Sequence, residues 1–594
     1  MGNKIPRPEH PKPQFKRKNW QNLNGQWNFA FDDQNQGEKN KWYQKNKLEK
    51  TITVPFSFET EASGIADRSE HNHIWYQRSF KVEAEAGKKV ILNFGAADYL
   101  TKVWINGSFA GSHTGAYDSF SFDISDFVDY QSENNIVVKV EDSRSKAQPR
   151  GKQTYKEDNF LCWYTRTTGI WQTVWLEFMD RQLQFEKIKI TPDIEQKEVE
   201  LEYSFKAADF EAGEYKLLSR IIFEGELVNK FEFEISKKNH SYKINLAENN
   251  NQLKLWSPEQ PNLYDLEMIV YRDQQAVDQV ESYFGMRKIS IEEDKILLNN
   301  QVLYQKLILD QGYWPESLLT PPSDQALKKD VELIKKMGFN GARKHQKIED
   351  ERFYYWADKL GLLVWAEIGA AYEYNDQAVE EFSTQWLQVV QDLYNHPSII
   401  CWVPFNESWG IEEVSHNKKQ QNFTESIYYL TKSIDTMRPV IANDGWEHTI
   451  SDIITFHDYV ESADKLRETY VEDIDQLLQN KKVFNDQEYI DGGKLIMADN
   501  YQYQGQPIIF SEFGGVAFQN KEGWGYGEHV ESKEELSRRI NQLMEIIRDA
   551  DYFEGYCYTQ LTDVEQEKNG LLDENREFKL DLTKIIEFNQ IVDQ

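Results

Sequence analysis

Between Trp20 and Met179 the apolar residues come in short runs: Trp27 to Phe31, Trp75 to Phe80, Lys89 to Phe94, Lys102 to Ile105 and Ile136 to Val140. Runs of this length, rich in Val, Ile, Phe, Trp and Tyr and broken by Gly, Asn and Asp, predict the strands of an all-β sandwich or jelly roll. Asn106-Gly107, lying between two such runs, predicts a type I′ hairpin, because both residues tolerate the positive φ of that turn. From about Arg181 to Lys288 the runs lengthen and alternate with charge, in Val199 to Phe205, Tyr215 to Phe223, Lys230 to Ile235 and Leu266 to Tyr271. This pattern predicts a second, smaller antiparallel sandwich, with the boundary near Asp180.

After Ile289 the texture changes. Apolar runs at Leu303 to Leu309, Phe339 to Lys344, Leu362 to Ile368, Ile399 to Phe405, Pro439 to Asn443, Ile453 to His457, Pro507 to Ser511 and Phe553 to Thr559 alternate with long helical patterns. One such helix is expected over Ser323 to Met337, capped by Ser323 and ended by Gly338, and another over Ser532 to Asp549. Eight strands alternating with helices predict a (β/α)8 TIM barrel, with the active site at the ends of the strands. The expected organisation is therefore a jelly-roll domain over 1–182, a β-sandwich over 183–288 and a barrel over 289–594.

Composition narrows the ligand. The chain has 594 residues and a net charge of −31, so polyanions such as nucleic acid or an anionic membrane surface are repelled. Aromatics make up 14% of the residues, too many for a disordered acidic chain and well suited to stacking on sugar rings. Cys162, Cys401 and Cys557 are odd in number and lack CxxC spacing, so neither a disulfide framework nor a zinc site is expected, and a reducing compartment fits best. The first twenty residues show no apolar signal region, and no stretch approaches the ~18 uncharged apolar residues of a membrane span. The expectation is a soluble, cytoplasmic protein.

In a barrel, the polar residues that follow each strand face the site. Glu407 closes the run Cys401-Trp402-Val403-Pro404-Phe405-Asn406-Glu407, and Glu512 closes Ile508-Ile509-Phe510-Ser511-Glu512. A lone glutamate in such a place is more often a salt-bridged rim residue. Two of them, each beside apolar surface, can be given different pKa values, which is the equipment for glycosidic bond cleavage. Other strand ends offer Asp310, Arg343, His345, Glu367, Asp444, Trp446, His457 and Tyr459. An arginine near Glu512 would keep it ionised, and a tyrosine hydroxyl would hold it in line. Asn406 is placed to hydrogen-bond the sugar hydroxyl beside the reacting carbon.

These motifs, in this order, resemble glycoside hydrolase family 2, the group of β-galactosidases, β-glucuronidases and β-mannosidases. Trp20-Gln21-Asn22-Leu23-Asn24-Gly25-Gln26-Trp27, Val54-Pro55-Phe56, Trp75-Tyr76-Gln77-Arg78, Val103-Trp104-Ile105-Asn106-Gly107 and Gly169-Ile170-Trp171-Gln172-Thr173-Val174-Trp175 are similar to its jelly-roll sugar-binding domain. The middle segment is similar to its immunoglobulin-like domain, and the barrel carries Asn406-Glu407 and Ser511-Glu512-Phe513-Gly514. The resemblance implies Glu407 as general acid/base and Glu512 as nucleophile of a retaining exo-glycosidase, Asn406 on the 2-hydroxyl, and Arg343 and Tyr459 in support of Glu512. Two departures touch the sugar subsite: Arg343-Lys344-His345 places the histidine one position early, and the first strand ends Leu309-Asp310-Gln311.

Where glucuronidases of this family carry Asn-x-Lys before a glycine, the chain reads Glu567-Lys568-Asn569-Gly570, and an acidic residue there would repel a uronate. A neutral glycoside is therefore expected. A β-galactoside ranks ahead of a β-mannoside or arabinoside, an order set by family frequency. Trp314, Trp446 and Trp524 are candidates to stack on the sugar. His71 and His73 lie in a polar segment with no third ligand, and the mechanism requires no metal. Mg2+ or Na+ occurs in some family members, but no local ligand set demands either. The expected partners are a small oligosaccharide or glycoside and, since family members often form dimers or tetramers, a second copy of the chain. Asp98-Tyr99 or Asp158-Asn159 of the first domain is expected to reach the subsite, and the residues before Trp20 are expected to be dispensable. A non-catalytic sugar-binding protein is the competing class.

Overall fold

The computed structural model describes the chain except residues 1–4, 46, 85–86, 208–212, 248–251, 473, 475–477, 479–481, 484–492, 519–522 and 593–594. The first sandwich packs a six-stranded sheet on a four-stranded one. In the six-stranded sheet the order is Lys50–Val54, Gly25–Phe31, His73–Phe80, Asn134–Glu141, Leu100–Ile105 and Ser108–Thr114. The four-stranded sheet runs Phe120–Asp123, Lys89–Phe94, Val174–Met179 and Trp20–Asn22. Alternate residues such as Trp27, Phe29, Ile74, Tyr76, Leu92 and Val138 fill the space between them, as the period of two requires. Asn106 and Gly107 both take positive φ, 51° and 79°, as a type I′ turn demands. His73 starts a strand, while His71 lies in the loop before it and stacks on Phe31.

The second sandwich faces Leu183–Asp193, Glu198–Ala207 and Asn239–Asn245 against a five-stranded sheet built on Tyr215–Phe223, Glu226–Glu234, Tyr264–Arg272 and Gln275–Phe284. Its fifth strand is Lys16–Arg17, from the start of the chain. The expectation that residues before Trp20 are dispensable is thereby corrected. The buried Arg17 guanidinium bridges Glu177 of the first sandwich (2.6 Å) and Asp278 of the second (3.1 Å).

Seven parallel strands curl into the barrel sheet in the order Ile399–Val403, Leu363–Glu367, Gly341–Lys344, Gln305–Asp310, Phe553–Thr559, Ile508–Gly514 and Ile454–His457. All seven are buried along their length but for Lys306, which is why they read as continuous apolar runs. The eighth run, Pro439 to Asn443, differs from the expectation. It joins only through isolated parallel bridges, Val440 to Trp402 and Asp444 to Asn406. On its other side, side chains take over the ladder: Asp452 Oδ2 accepts from Val440 N, Ser451 Oγ from Ala442 N and Thr455 Oγ1 from Gly445 N. The helix Asp324–Lys336 has Ser323 as its N-cap, accepting from Ala326 N, with Gly338 past its end at φ 94°. Lys533–Asp549 is capped in the same way by Ser532.

The first sandwich docks on the rim of the barrel. Arg150 N and Gly151 N both donate to Ala370 O, at 3.0 and 3.1 Å, and Tyr372 N donates to Lys146 O. Gly151 sits at φ 59°, and a Cβ there would overlap the Gln346 carbonyl, so only glycine permits this approach. The next residue, Lys152, is thereby delivered into the barrel mouth.

Candidate active site

Glu407 and Glu512 leave two separate strands of the barrel and converge. Together with His457 they form a cluster in which one carboxylate oxygen of each glutamate and a ring nitrogen lie within 4.8 Å of one another. Glu407 turns inward because the backbone leaves the strand Ile399–Val403 through a left-handed kink, with φ 52° at Glu407 and 58° at Ser408. Positive φ at two successive non-glycine residues is costly and is held by the surrounding bonds. Glu407 N donates to Asp444 O, Ser408 N to Asn443 Oδ1, and Ser408 Oγ to Glu447 Oε2.

Arg343, wholly buried, organises the floor. Its Nε donates to Glu367 Oε2 (2.8 Å), Nη1 to Glu512 Oε1 (2.8 Å) and Nη2 to Asn406 Oδ1 (2.7 Å), with Asp444 Oδ2 2.6 Å from Nη1. With its Oδ1 so engaged, Asn406 presents an amide Nδ2 that has no acceptor among the described residues, a donor left for a ligand. Tyr459 Oη donates to the other oxygen of Glu512 at 2.5 Å and is braced by stacking on Tyr526 at 3.5 Å. Glu512 is thus gripped on both oxygens by hydrogen-bond donors.

His457 touches Glu407 Oε1 through Nδ1 and Asp444 Oδ2 through Nε2, each at 2.9 Å. Burial opposes its charge, but Glu512, Asp444 and Glu407 outweigh burial and push its pKa up to about 10. Both ring nitrogens are then donors, one to each carboxylate. Burial alone would raise the Glu407 carboxyl. The hydrogen bond and charge of His457, aided by Lys152 and by Trp409 Nε1 at 3.2 Å, hold it below the usual range instead. For Asp444 burial is likewise overcome, here by Arg343 and His457, and its pKa lies well below the carboxylate norm. Glu367 goes the other way, since burial raises it more than Arg343 lowers it.

The remaining candidates divide. His345 lies 3.7 Å from Glu512 Oε1 and 3.3 Å from Glu367 Oε1, and burial drives its pKa well down, so it is a neutral imidazole. Trp446 packs edge-on against His457 at 5.5 Å with its Nε1 unpartnered. Trp524 is half-buried and meets Tyr526 at 4.7 Å. Asp310 is engaged by Lys344 at 2.8 Å, in a closed network with Glu349 and Lys347. Trp314 is a core residue that carries Lys347 and Arg576 on its faces. Of the loops expected to reach the subsite, Asp98 is tied to Gln153 at 2.8 Å within the first sandwich. The Asp158 side chain is exposed, and Asn159 is bonded to Glu565.

What reaches the barrel mouth instead is Lys152, with Cys162, Trp163 and Tyr164. Tyr164 donates to Glu567, which also accepts from Asn569 Nδ2 at 2.9 Å. Lys152 gives no periodic signal in sequence. Its only cue is the glycine before it, whose backbone approach to the barrel could not be foreseen.

The chemistry open to this arrangement is that of two close carboxyl groups. One is clamped on both oxygens by Arg343 and Tyr459, and the other is joined to a proton-bearing histidine. An unpartnered amide lies beside them. Family comparisons agree with that reading. Residues 20–180 match the glycosyl hydrolases family 2 sugar binding domain, 183–287 the glycosyl hydrolases family 2 domain, and 289–539 the family 2 TIM barrel domain. A β-galactosidase of Thermoanaerobacter pseudethanolicus is 24% identical over 454 residues, covering 74% of this chain and 58% of that protein. A β-glucuronidase of Paenibacillus borealis is 26% identical over 447 residues, covering 70% of each. Against many of its other curated relatives the chain spans about half of their length or less. A solved β-glucuronidase of Ruminococcus gnavus, in complex with an N1-substituted uronic isofagomine, shares the fold at TM-score 0.76 and 19% identity over 98% of this chain and 99% of that one. With three consecutive domain matches that together span most of its length, the chain belongs to glycosyl hydrolase family 2.

Proposed function

We propose that the protein is a retaining, exo-acting glycosidase that removes a terminal neutral sugar, a β-galactoside first among them, by double displacement. The approach of Glu407 and Glu512 to within 4.8 Å carries this reading. Carboxyl groups about 5–5.5 Å apart leave no room for a water between nucleophile and sugar, whereas inverting enzymes need about 6.5–9.5 Å. In the first step Glu512 attacks the anomeric carbon while Glu407 protonates the departing oxygen. In the second, Glu407 takes a proton from water as that water displaces Glu512. The proton that Glu407 needs at the outset is held at His457 Nδ1 and crosses the 2.9 Å hydrogen bond between them. The water's proton restores it at the end of the cycle, so the balance closes. Asn406 Nδ2 supports the transition state by donating to the 2-hydroxyl.

Glu567 and Asn569, which bond each other, stand where a uronate-binding asparagine and lysine would be expected, which supports a neutral sugar. The second reading is a β-glucuronide. It is favoured by the named glucuronidase relatives, and by the burial that raises the Glu567 pKa and weakens its repulsion of a uronate. The loop carrying Lys152 to Tyr164 walls one end of the site, which suits removal of a terminal residue. Three buried free cysteines support a reducing, cytoplasmic setting. The test is hydrolysis of nitrophenyl β-galactoside, β-glucuronide, β-mannoside, β-glucoside and α-L-arabinosides beside Glu512→Gln and Glu407→Gln. Turnover of the β-galactoside that vanishes in Glu512→Gln supports the proposal, and a wild type that turns over only the glucuronide replaces it by the second reading.

A further inference from the structure

Lys152 is a buried cation without a matching anion. Its side chain comes from the first sandwich, its residue is 5% exposed, and among the described residues the single acceptor on Nζ is Cys162 Sγ, at 3.4 Å. A thiol is a weak acceptor. Among the described residues no carboxylate lies within ion-pair distance of the ammonium, whereas Lys344 and Lys347, equally buried, each have one at 2.9 Å or closer. The ring of Trp163 lies 5.2 Å away and contributes a cation–π contact. Two of the three N–H donors are left over, and an ammonium taken out of water without acceptors is costly.

The position of Lys152 shows where those donors lead. Its charge is felt by Glu407, Glu567 and His345, and it is itself influenced by Glu407 and Glu512. Trp163, over which the ammonium lies, meets Trp409 at 5.4 Å, and Trp409 Nε1 in turn donates to Glu407 at 3.2 Å, so Lys152 adjoins the Glu407 side of the barrel mouth. Burial disfavours its charge, and Cys162, Tyr372 and the two glutamates restore it. Because those glutamates already balance the charge at longer range, what Lys152 lacks is an acceptor lone pair and not a further anion. A carboxylate added here would enter a field already shaped by Glu407, Glu512 and Glu567.

We propose that Lys152 is a binding residue of the terminal-sugar subsite, donating to a hydroxyl of a neutral sugar and so making the first sandwich part of the specificity pocket. The proposal rests on the glycosidase reading above and adds the sugar contact to it. Gly151 is its structural precondition, since any side chain there would push the Lys152 backbone off the barrel rim.

The experiment measures kcat/KM of wild type, Lys152→Met and Lys152→Gln on nitrophenyl β-galactoside and its 2-, 3-, 4- and 6-deoxy analogues, with the β-galacturonide alongside. Wild-type turnover abolished in Glu512→Gln establishes the underlying reading independently, and its absence on every neutral glycoside defeats that reading without bearing on how Lys152 is satisfied. Given turnover, Lys152→Met is expected to lose roughly 30-fold on the parent galactoside, the scale of a hydrogen bond to a charged donor. On one deoxy analogue the loss should shrink to about threefold, because the partner hydroxyl is already missing. Lys152→Gln, which keeps a donor, should fall between. An equal loss on every analogue, or no loss, overturns the proposal. So does a wild type that prefers the galacturonide and loses that preference in Lys152→Met, since the partner is then a carboxylate. A thermal melt of each variant separates these outcomes from misfolding.

Discussion

His457 donates from Nδ1 to Oε1 of Glu407 at 2.9 Å, and its other nitrogen lies 2.9 Å from Asp444. The imidazolium is therefore the link between the proposed acid/base and a buried permanent anion. It explains how a carboxyl group that its surroundings keep ionised in the free protein can still deliver a proton: the proton waits one hydrogen bond away.

This link has a pH signature. The folded-state pKa of His457 is raised from 6.5 to about 10. The stability it contributes is thus fully present below about pH 6.5 and is lost as pH rises through about 10. Asp444, whose pKa is depressed from 3.8, contributes in the opposite sense, above about pH 3.8 and decreasingly as pH falls. The difference in Tm between wild type and His457→Asn should therefore narrow between pH 7 and pH 10. The variant should also lose the alkaline limb of the kcat/KM profile that His457 sets. A Tm difference that is constant over that range contradicts the assignment.

Tyr459 holds the second oxygen of Glu512. Tyr459→Phe keeps the ring stacked on Tyr526 and removes only the hydroxyl, so kcat should fall by roughly 10- to 100-fold, the scale of a hydrogen bond to a charged group, with little change in Tm. Steady-state kinetics with a circular dichroism melt checks this. An unchanged kcat would remove Tyr459 from the nucleophile's support.

Arg17 joins the two sandwiches through Glu177 and Asp278. Removing one partner of a buried network leaves uncompensated charge, so Arg17→Met should destabilise the protein by about 3–5 kcal/mol, and deletion of residues 1–19 by at least as much. Urea melts of both variants measure it, and a loss below about 1 kcal/mol contradicts the role.

Much of this architecture is legible in the chain because the relevant forces are local. Period-two runs mark the sandwiches, and Ser323 with Gly338 brackets a helix. Glu407 and Glu512 stand out because each ends an apolar strand where an unused charge is costly. What stays hidden depends on contacts between distant segments. The run Pro439 to Asn443 reads as a strand, but side chains of Ser451, Asp452 and Thr455 replace half of its ladder. Lys16–Arg17 looks like a polar leader until its partner Gln275–Phe284 is in place. Asp158 resembles a sugar contact in sequence, whereas Lys152 holds the inner position because Gly151 alone can press against the rim. His457, which the sequence offers only as one of several strand-end residues facing the site, has both ring nitrogens committed to carboxylates, a network that composition cannot reveal.

The central claim is double displacement by Glu407 and Glu512, and the anomeric configuration of the first-formed sugar tests it most directly. Following nitrophenyl β-galactoside hydrolysis by proton NMR within the first minutes, before mutarotation, with Glu512→Gln as control, should show the β-anomer appearing first and no product in the variant. An α-anomer appearing first, or turnover that survives in Glu512→Gln, would contradict the account.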